Sequence, residues 1–583
     1  MLKSKWLKLS LVVSMLGSTF SARVFAQEET AVSFESSVVN EGEAIEGGTL
    51  RYAIVGDAFA GVFNGMYYTM GVDGTIISFF NPGLYGYDEN FTIDNSGFAD
   101  IEFDPDNAQV TITIPEGTFW DDGEPLDIDD VIAPYYIVGH PEYDGVRYGV
   151  AFTNVVGMEE YKNGDTDVIS GLERIDDYTL RVTYIDFTGS ILQAGGGVSD
   201  YVEPEHILSD IPIAEIIDSD QVRQSPVGFG PYTLTSIVPG EAVTFEANEN
   251  YYKGKPLIDE IVVEVVSPSQ IVAELKAGNY DIASLPSDQF ETYKDATNFA
   301  ILGVEANSYN YIGFKMGVWD EAAGEVNFDP DRVVSNQAFR QAMAYAIDND
   351  SVGSRFYQGL RFNANSHVTP NFGTLHNPDQ EGYHYDPEKA KALLAEAGFV
   401  DNDGDGFVED LNGEPFVLGF AAPTSGEVAE VIAQYYIQAW HEVGINVELV
   451  DGNLMETNAF YERVEQDDPA IDVFQGAWTI GGDPNQYGFF GRDQFWNDSR
   501  FADEELDALH ARLNSSETFD EASRIDIYYE WQAYLIDQIP LLPTLFNYSL
   551  TAVNNRVSAY DVTTGSDLDW TEIYLLADEP IAE

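Results

Sequence analysis

The stretch that begins at Asp401 has the residue types and the spacing of a calcium-binding loop. Asp401, Asp403 and Asp405, followed by a glycine and then by Glu409, fit the first nine positions of the pattern D-x-D-x-D-G-x-x-E. Carboxylates at alternate positions converge on one point, and the glycine permits the sharp turn. The twelfth position holds Asn412 where a bidentate glutamate is usual, which lowers the expected affinity. A structural Ca²⁺ is one prediction, and a solvated acidic turn is the alternative.

Patterns for catalysis are missing elsewhere in the sequence. The chain has no cysteine, which excludes disulfides, thiolate metal ligands and a cysteine nucleophile. His441 and Glu442 begin like a zinc-protease motif, but no second histidine follows at the required spacing, and His367, His376 and His384 are more typical of scattered histidines than of a metal site. We therefore expect no catalytic residue and no required cofactor, with a peptidase or a carboxylate-pair glycosidase as the alternative.

The charge of the chain excludes several partners. Its 583 residues include 100 acidic and 27 basic side chains, a formal net charge of −73. Phosphate would be repelled, so nucleic-acid binding and attachment to an anionic membrane surface are both disfavoured. One hypothesis is a saline habitat, where salt screens self-repulsion. A second hypothesis is that the negative electrostatic field of the protein attracts cationic ligands. The alternative to both is a solvated acidic surface that has no influence on which ligand binds.

The first residues predict an export signal. Several lysines precede an apolar stretch over residues 9–16, and the small residues Val24 and Ala26 stand before Gln27, as at a signal-peptidase site. We therefore expect an exported, extracytoplasmic protein whose mature chain starts near Gln27. Because the sequence has no cysteine, attachment to a lipid through a lipobox cysteine is excluded. Two alternatives are left: the protein is released after signal cleavage, or it is retained at the membrane by an uncleaved N-terminal anchor.

The hydrophobic pattern predicts a mixed α/β fold. Asp386 is a natural N-cap for a helix with proline at its first position, and Gly398 is a natural C-terminal stop. Gly444 would end a second helix, and a strand follows it directly. The main predicted strands cover 49–55, 109–114, 179–185, 260–266 and 445–450, and the two helices cover 387–397 and about 427–443.

Several segments resemble motifs of the oligopeptide- and dipeptide-binding proteins of ABC importers, extracellular solute-binding family 5. The segment 119–131 is similar to that family's W-x-D-G-x-P-x-x-x-x-D-V signature, in which a tight turn precedes a helix capped by acidic residues. Each motif is weak alone, but six occur in the family's order. They lie at residues 119–131, 226–232, 248–256, 275–283, 339–348 and 531–543.

The resemblance implies a two-lobed clamp of the periplasmic-binding-protein type (type II, the large peptide-binding class), with an extra domain inserted in the first lobe. It also implies a hinge motion that closes the lobes on a ligand. The expected division of the chain is a signal peptide at 1–26, an acidic flexible tether at 27–48, lobe I at 49–75, 215–300 and 543–583, the extra domain at 76–214, and lobe II at 301–542.

The segment 476–492 resembles the part of the Gram-positive oligopeptide-binding branch that lines the cleft. The family places an aspartate three residues after the tryptophan to bind the peptide α-ammonium, but here that position is Gly481 and the next acid is Asp483. Either Asp483 takes up this role, or the amino group is not bound. For Trp478 the alternative to a ligand contact is a core residue. The candidate peptide-binding residues are Phe63, Asn64, Ala477, Trp478, Gly481, Asp483, Asn485 and Phe489.

The function implied by the resemblance is capture of oligopeptides between the lobes, where the ligand pairs with a strand through its backbone. The expected partners are peptides and the permease and ATPase subunits of an ABC importer, and the expected state is a monomer. A peptide or pheromone receptor with a signalling role is the first alternative. Binding of a nickel chelate, haem or an oligosaccharide is the second.

Overall fold

The structure is a computed structural model that describes residues 33–424, 426, 428–566 and 568–583. The predicted signal peptide, its cleavage site and the first part of the predicted tether lie outside these residues. Residues 34–583 form one unit. Across the described ranges, we find no helix with the length and apolar character needed to cross a bilayer.

The strands alternate with helices through most of the chain. In chain order they are β1 (Ser37–Val39), β2 (Thr49–Val55), β3 (Gly86–Tyr87), β4 (Ile93–Asp94), β5 (Asp100–Asp104), β6 (Gln109–Thr113), β7 (Leu172–Arg174), β8 (Thr179–Thr183), β9 (Tyr232–Val238), β10 (Ala242–Ala247), β11 (Glu260–Val266), β12 (Ile282–Leu285), β13 (Phe299–Phe314), β14 (Gly317–Asp320), β15 (Glu325–Phe328), β16 (Arg361–Asn363), β17 (Leu418–Ala421), β18 (Val447–Leu449), β19 (Val473–Thr479), β20 (Leu541–Asn554) and β21 (Ala559–Asp561).

The α-helices vary from single turns to five turns. They are α1 (Gly71–Phe80), α2 (Asp129–Val138), α3 (Val150–Thr153), α4 (Met158–Lys162), α5 (Glu205–Leu208), α6 (Asp220–Arg223), α7 (Pro268–Lys276), α8 (Phe290–Tyr293), α9 (Gln337–Tyr345), α10 (Asn349–Tyr357), α11 (Pro387–Ala397), α12 (Ala429–Glu442), α13 (Thr457–Glu465), α14 (Tyr487–Phe490), α15 (Glu504–Leu513) and α16 (Glu521–Gln538).

One mixed sheet runs through the unit. Its strand order is β18-β17-β19-β13-β20-β12-β2-β11-β10-β9, and β16 also pairs with β20. The antiparallel pair of β13 and β20 is the longest, with 16 and 14 residues, and its register shifts between Glu305 and Tyr309. A separate four-stranded sheet has the order β5-β6-β8-β7. Parallel and antiparallel strands with helices between them confirm the mixed α/β class.

Three apolar cores hold these elements. The first core contains buried side chains from the sequence range 309–546, and the second contains those from the range 62–229. The third core packs side chains of β2, β10 and β11 against residues near the C-terminus. Fully buried tryptophans stand in the first two, at Trp440, Trp531 and Trp120. The lobe and domain boundaries given above remain a prediction.

The local signals in the sequence explain where several elements begin and end. The Asp386 carboxylate accepts a hydrogen bond from the backbone N–H of Lys389 at 2.9 Å, as an N-cap of α11 does. Gly398 ends this helix in the left-handed conformation with φ 95°. Strands β2 and β11 have the predicted bounds. Helix α12 begins two residues later than predicted and ends one residue earlier.

Motif residues hold distant segments together. Trp120 is fully buried and donates to the carboxylate of Asp130 at 3.1 Å. The same carboxylate accepts from the backbone of Asp127 at 3.0 Å, which is one half of the predicted acidic capping box. The Asp127 carboxylate accepts from the backbone N–H of Asp129 at 2.8 Å and not from that of Asp130. Asp281 and Arg556 form a fully buried ion pair at 2.6 Å that ties β12 to the C-terminal region. These motifs serve the fold.

The predicted flexible tether is folded where the structure describes it. Strand β1 pairs antiparallel with β21, and the backbone N–H of Asn40 donates to the carbonyl of Ser558 at 2.7 Å. The ring of Phe34 packs edge-on against Tyr548 at 5.5 Å. Acidic, polar composition predicted a free linker, but strand pairing satisfies this backbone, so a tether over the whole of 27–48 is wrong.

Candidate ligand-binding cleft

A cavity of about 1140 Å³ lies between two parts of the chain that are far apart in sequence. One wall comes from residues 150–196 and the other from residues 483–514. The first wall packs on the second apolar core, and the other wall packs on the first core. The volume exceeds the ~300–1,000 Å³ that is usual for small-ligand pockets. The cavity can therefore hold a ligand of several residues.

A second cavity of about 510 Å³ adjoins the first. The two share Val150, and Gly482 lines the second beside Asp483 in the first. Six aromatic side chains line this second space and offer stacking surface, and the charged side chains of Arg147 and Asp200 line it as well. The aromatic residues are Tyr68, Tyr85, Tyr87, Phe91, Phe152 and Tyr201. Together the two cavities form what we call the cleft.

The two walls meet at the rim of the cleft. The rings of Phe187 and Phe519 stack at 5.0 Å with an angle of 4° between their planes. A side chain at Gly482 would place its Cβ 2.4 Å from the carbonyl oxygen of Ala194, which real Cβ atoms do not tolerate, so this close approach requires glycine. The walls are therefore in direct contact in this structure.

Strand β19 leads into the cleft and carries Trp478. Its indole ring lies between two aromatic rings, Phe489 at 4.1 Å and Tyr311 at 5.5 Å, with planes 13° and 23° from parallel. The side chain is partly buried and packs on the first core. Trp478 and Phe489 thus stabilise each other beside the large cavity, and neither lines it.

One edge of β19 is open near the cleft. On one side β19 pairs with β13 over its whole length, whereas on the other it pairs with β17 only at Val473 and Phe474. From Gln475 to Thr479 this second edge carries no strand among the described residues. Ala477 and Thr479 are exposed there. The carbonyl of Ala477 accepts a hydrogen bond from the Tyr461 hydroxyl at 3.5 Å, and an extended segment can add to the sheet along the rest of this edge.

Asp483 lies on the cavity wall at the end of this strand. Its carboxylate accepts from the backbone N–H of Asn485 at 3.0 Å and has side-chain hydrogen bonds with Ser190 and Tyr528. Arg524 lies close enough to favour the charged form. Burial nevertheless raises the pKa of Asp483 to about 6, because the low-dielectric surroundings penalise the charge. Its hydrogen-bonding capacity is largely used within the protein.

Asn485 and Gly481 complete this corner. The Asn485 amide donates to Asn514 at 2.9 Å and to Ser190 at 3.3 Å, so it bridges the two walls of the cavity. Gly481 is exposed, and a Cβ added to it would meet nothing within 4 Å. The structure thus brings Asp483 and Asn485 to the cavity wall. Ala477, Trp478, Gly481 and Phe489 lie beside it.

Phe63 and Asn64 are placed away from the cavity. Both side chains are 2% exposed. Phe63 packs against Phe59 in the third core, and the Asn64 amide donates to the carboxylate of Glu203 at 2.7 Å. The sequence favoured ligand contacts here by analogy with the family, but these side chains are committed to the interior. The structure therefore gives no support to their role in binding.

Sequence reasoning missed the charged part of the cavity wall. His510 and Asp507 on α15 line this wall together with Arg492 and Asp493 in the loop before that helix, and Asp186 lies on the opposite wall. These residues come from separate segments that only folding brings together. No motif marks them in the sequence, although the segment 476–492 that resembles the cleft of the family ends directly before Asp493.

The comparisons with known proteins agree with this architecture. The family described as "Bacterial extracellular solute-binding proteins, family 5 Middle" matches residues 98–498, which is more than half of the chain. The chain belongs to family 5 of the bacterial extracellular solute-binding proteins. This confirms the membership that the six motifs predicted.

Relatives of this family 5 protein include the oligopeptide-binding protein OppA of Lactococcus lactis subsp. cremoris, 29% identical over 500 residues, or 84% of this chain and 83% of the relative. The oligopeptide-binding protein AppA of Bacillus subtilis is 26% identical over 466 residues, 79% of each chain. The solved structure of lactococcal OppA with an endogenous peptide in the closed conformation covers 91% of this chain and 100% of its own, at 27% identity and a TM-score of 0.78. The two-lobed clamp fold is thereby confirmed.

The acidic loop of this family 5 protein has part of the predicted calcium-site geometry. Carboxylate oxygens of Asp401, Asp403 and Asp405 lie within 4.8 Å of one another, and all three residues are exposed. Glu409 does not belong to this group, because its buried carboxylate accepts from the backbone and the amide of Asn402 at 2.8 and 3.0 Å. Three of the four predicted ligands therefore converge, and calcium binding stays a prediction.

Proposed function

We propose that this protein captures oligopeptides in the cleft and delivers them to the permease of an ABC importer. The observation that carries the proposal is the match over nearly the whole chain to a clamp that was solved closed on a peptide. The names of the two relatives point to the same ligand class. The size of the cavity and the open edge of β19 suit an extended chain of several residues.

Recognition is carried mainly by the peptide backbone. A peptide in extended form adds to β19 between Gln475 and Thr479, where its N–H and C=O groups find partners that are independent of side-chain identity. Side chains project into the large cavity and into its aromatic neighbour, where water adapts to each of them. Closure of the lobes follows from tighter binding of the ligand in the closed state.

The peptide amino group contributes little to affinity in this mechanism. Asp483 already has hydrogen bonds from Ser190, Tyr528 and the backbone of Asn485, and the charge of Arg524 lies nearby. A second ammonium partner would have to compete with these groups. The side chain that binds the amino group in the family is missing at Gly481. The geometry supports the second alternative of the sequence analysis, a peptide held along its length.

The protein acts as a carrier without covalent chemistry, as a monomer, with the permease and ATPase subunits of the importer as its partners. Residues 1–26 direct export, and the mature chain starts at Gln27. Peptides incubated with the protein should be recovered intact by mass spectrometry. Cleaved products that disappear after heat denaturation of the protein would instead establish an enzyme.

Backbone recognition is tested with modified ligands. A nonapeptide of mixed but uncharged side chains should bind in titration calorimetry, and a scrambled peptide of the same composition should bind within about threefold of it, because backbone pairing ignores order. Methylation of one paired amide nitrogen should weaken binding by about fivefold, the equivalent of ~1 kcal/mol for one hydrogen bond. Equal affinity for every N-methylated variant, or no binding of any peptide, would contradict the proposal.

A further inference from the structure

His510 is a buried polar side chain on the wall of the large cavity. It is 3% exposed, and neither ring nitrogen has a hydrogen-bond partner among the described residues. The ring nevertheless lines the large cavity. A buried polar group without a partner costs free energy unless a water or a ligand completes it. His510 lies on the cavity wall, where a water or a ligand can come near it.

The ring of His510 is held in place by aromatic neighbours. Tyr487 packs edge-on against it at 5.0 Å, and Trp531 lies at 6.5 Å on the inner side. Burial lowers the pKa of His510 to about 4, so the ring is neutral at neutral pH. A neutral imidazole presents one donor and one acceptor nitrogen. The ring therefore supplies one acceptor nitrogen at the cavity wall, and both ring nitrogens are buried in this structure.

A carboxylate stands beside this acceptor. The Oδ1 atom of Asp493 accepts from the hydroxyl of Tyr487 at 2.5 Å and from the amide of Gln494 at 2.9 Å, which are both neutral donors. The charges of Asp507 and, less strongly, of Asp493 act on His510, and Tyr487 contacts both the His510 ring and the Asp493 carboxylate. Asp493 thus places a negative charge next to the buried imidazole.

The guanidinium of Arg492 on the cavity wall does not neutralise this charge. Arg492 donates two hydrogen bonds to one carboxylate oxygen of Asp507, at 2.9 and 2.7 Å. The same cavity contains two further carboxyl side chains, Asp186 and Asp483. Among the described residues that line the cavity, four carboxyl groups and one guanidinium give it an excess of negative charge.

We infer that His510, Asp493 and Tyr487 form a side-chain pocket that selects a lysine or arginine residue of the bound peptide. The cationic group donates to the free imidazole nitrogen and to the Asp493 carboxylate, and Tyr487 orients that carboxylate. This inference rests on the proposed peptide capture and adds a preference to it. Backbone pairing brings the peptide to the cleft, and this pocket fixes which register of the peptide is favoured.

The test uses three series of nonapeptides in which lysine, norleucine or glutamate is moved through every position of a common neutral sequence. At one or two positions lysine should bind about tenfold tighter than norleucine, the lower end expected for a charge-assisted hydrogen bond in a wet cavity. Glutamate should bind more weakly than norleucine there. The titrations are done in 0.5 M salt, where the Debye length is below about 5 Å, so that the long-range electrostatic attraction of the acidic protein for lysine is screened.

The variants separate this pocket from the general acidity of the protein. Asp493→Asn keeps the shape and the hydrogen bond from Tyr487, and it should abolish the lysine preference, measured as the ratio of lysine to norleucine affinity in the same variant. His510→Phe should reduce the same ratio. Asp167→Asn removes the same charge from an exposed site outside the cavity and should leave the preference intact.

Several results would overturn the inference. Equal binding of the lysine and norleucine series by the unmodified protein refutes the pocket but leaves peptide capture standing. A preference that survives Asp493→Asn, or that Asp167→Asn removes as effectively, assigns the selection to the overall charge. Failure of all three series to bind refutes the proposed function itself.

Discussion

Installing an acid at Gly481 should create a preference for peptides with a free amino group. The position is exposed, its backbone is outside the left-handed region, and an added Cβ would meet nothing within 4 Å. Gly481→Asp should therefore fold normally. Because the new carboxylate is exposed to solvent, its attraction for the α-ammonium is worth about 1 kcal/mol, the upper part of the range for exposed ion pairs. That corresponds to roughly fivefold in the dissociation constant.

The assay compares each peptide with its N-acetylated form by calorimetry. In the unmodified protein both forms should bind within about twofold, because Asp483 is occupied by Ser190, Tyr528 and Asn485. In Gly481→Asp the free form should bind about fivefold tighter than the acetylated form. Gly481→Asn adds the same volume without charge and should behave like the unmodified protein.

A strong preference of the unmodified protein for the free amino group would refute this reasoning. Loss of tenfold or more on acetylation would mean that Asp483 binds the ammonium despite its internal hydrogen bonds. Asp483→Asn would then remove the preference. An unchanged ratio in Gly481→Asp would show that the peptide amino end lies elsewhere in the cleft.

Three further results are expected. Trp478→Leu should lower the unfolding free energy by about 2 kcal/mol in urea titrations, because two aromatic stacking contacts are lost, and an unchanged midpoint would refute their importance. Burial raises the pKa of Glu203 to about 8, so the stability that its protonated form contributes is complete below about pH 4 and falls as the pH rises towards 8. The melting temperature of Glu203→Gln should therefore depend less on pH than that of the unmodified protein. Parallel plots of melting temperature against pH for the two proteins would exclude Glu203 as the cause. Calcium should release heat with the unmodified protein and not with Asp403→Ala, whereas identical heats would end the calcium prediction.

Sequence reasoning was most accurate where local chemistry decides the structure. The N-cap Asp386 and the stop at Gly398 fix α11 within a few neighbouring residues, and the alternation of apolar residues fixes β2 and β11. Trp120 was correctly assigned to the fold, because its signature contains the turn and the capping acid together. These features need no information from distant parts of the chain.

The rest depends on contacts between distant segments. Residues 33–48 are polar and acidic, and contacts with distant residues, including the pairing of β1 with β21, give them a fixed position. Asn64 is a surface residue by type, but Glu203, 139 positions later, holds it in the interior. The pocket around His510 could not be predicted from the sequence either. Asp493 and His510 come close to each other only when α15 packs against the loop that precedes it.

The most direct test of the central claim is native mass spectrometry of the protein as purified from the cells that produce it. A closed clamp retains its ligand, and walls in contact at Gly482 and Ala194 would slow its escape. We predict a distribution of bound masses that fragment into peptides of several lengths and sequences, enriched in lysine and arginine. A single discrete mass that does not fragment as a peptide would contradict the account.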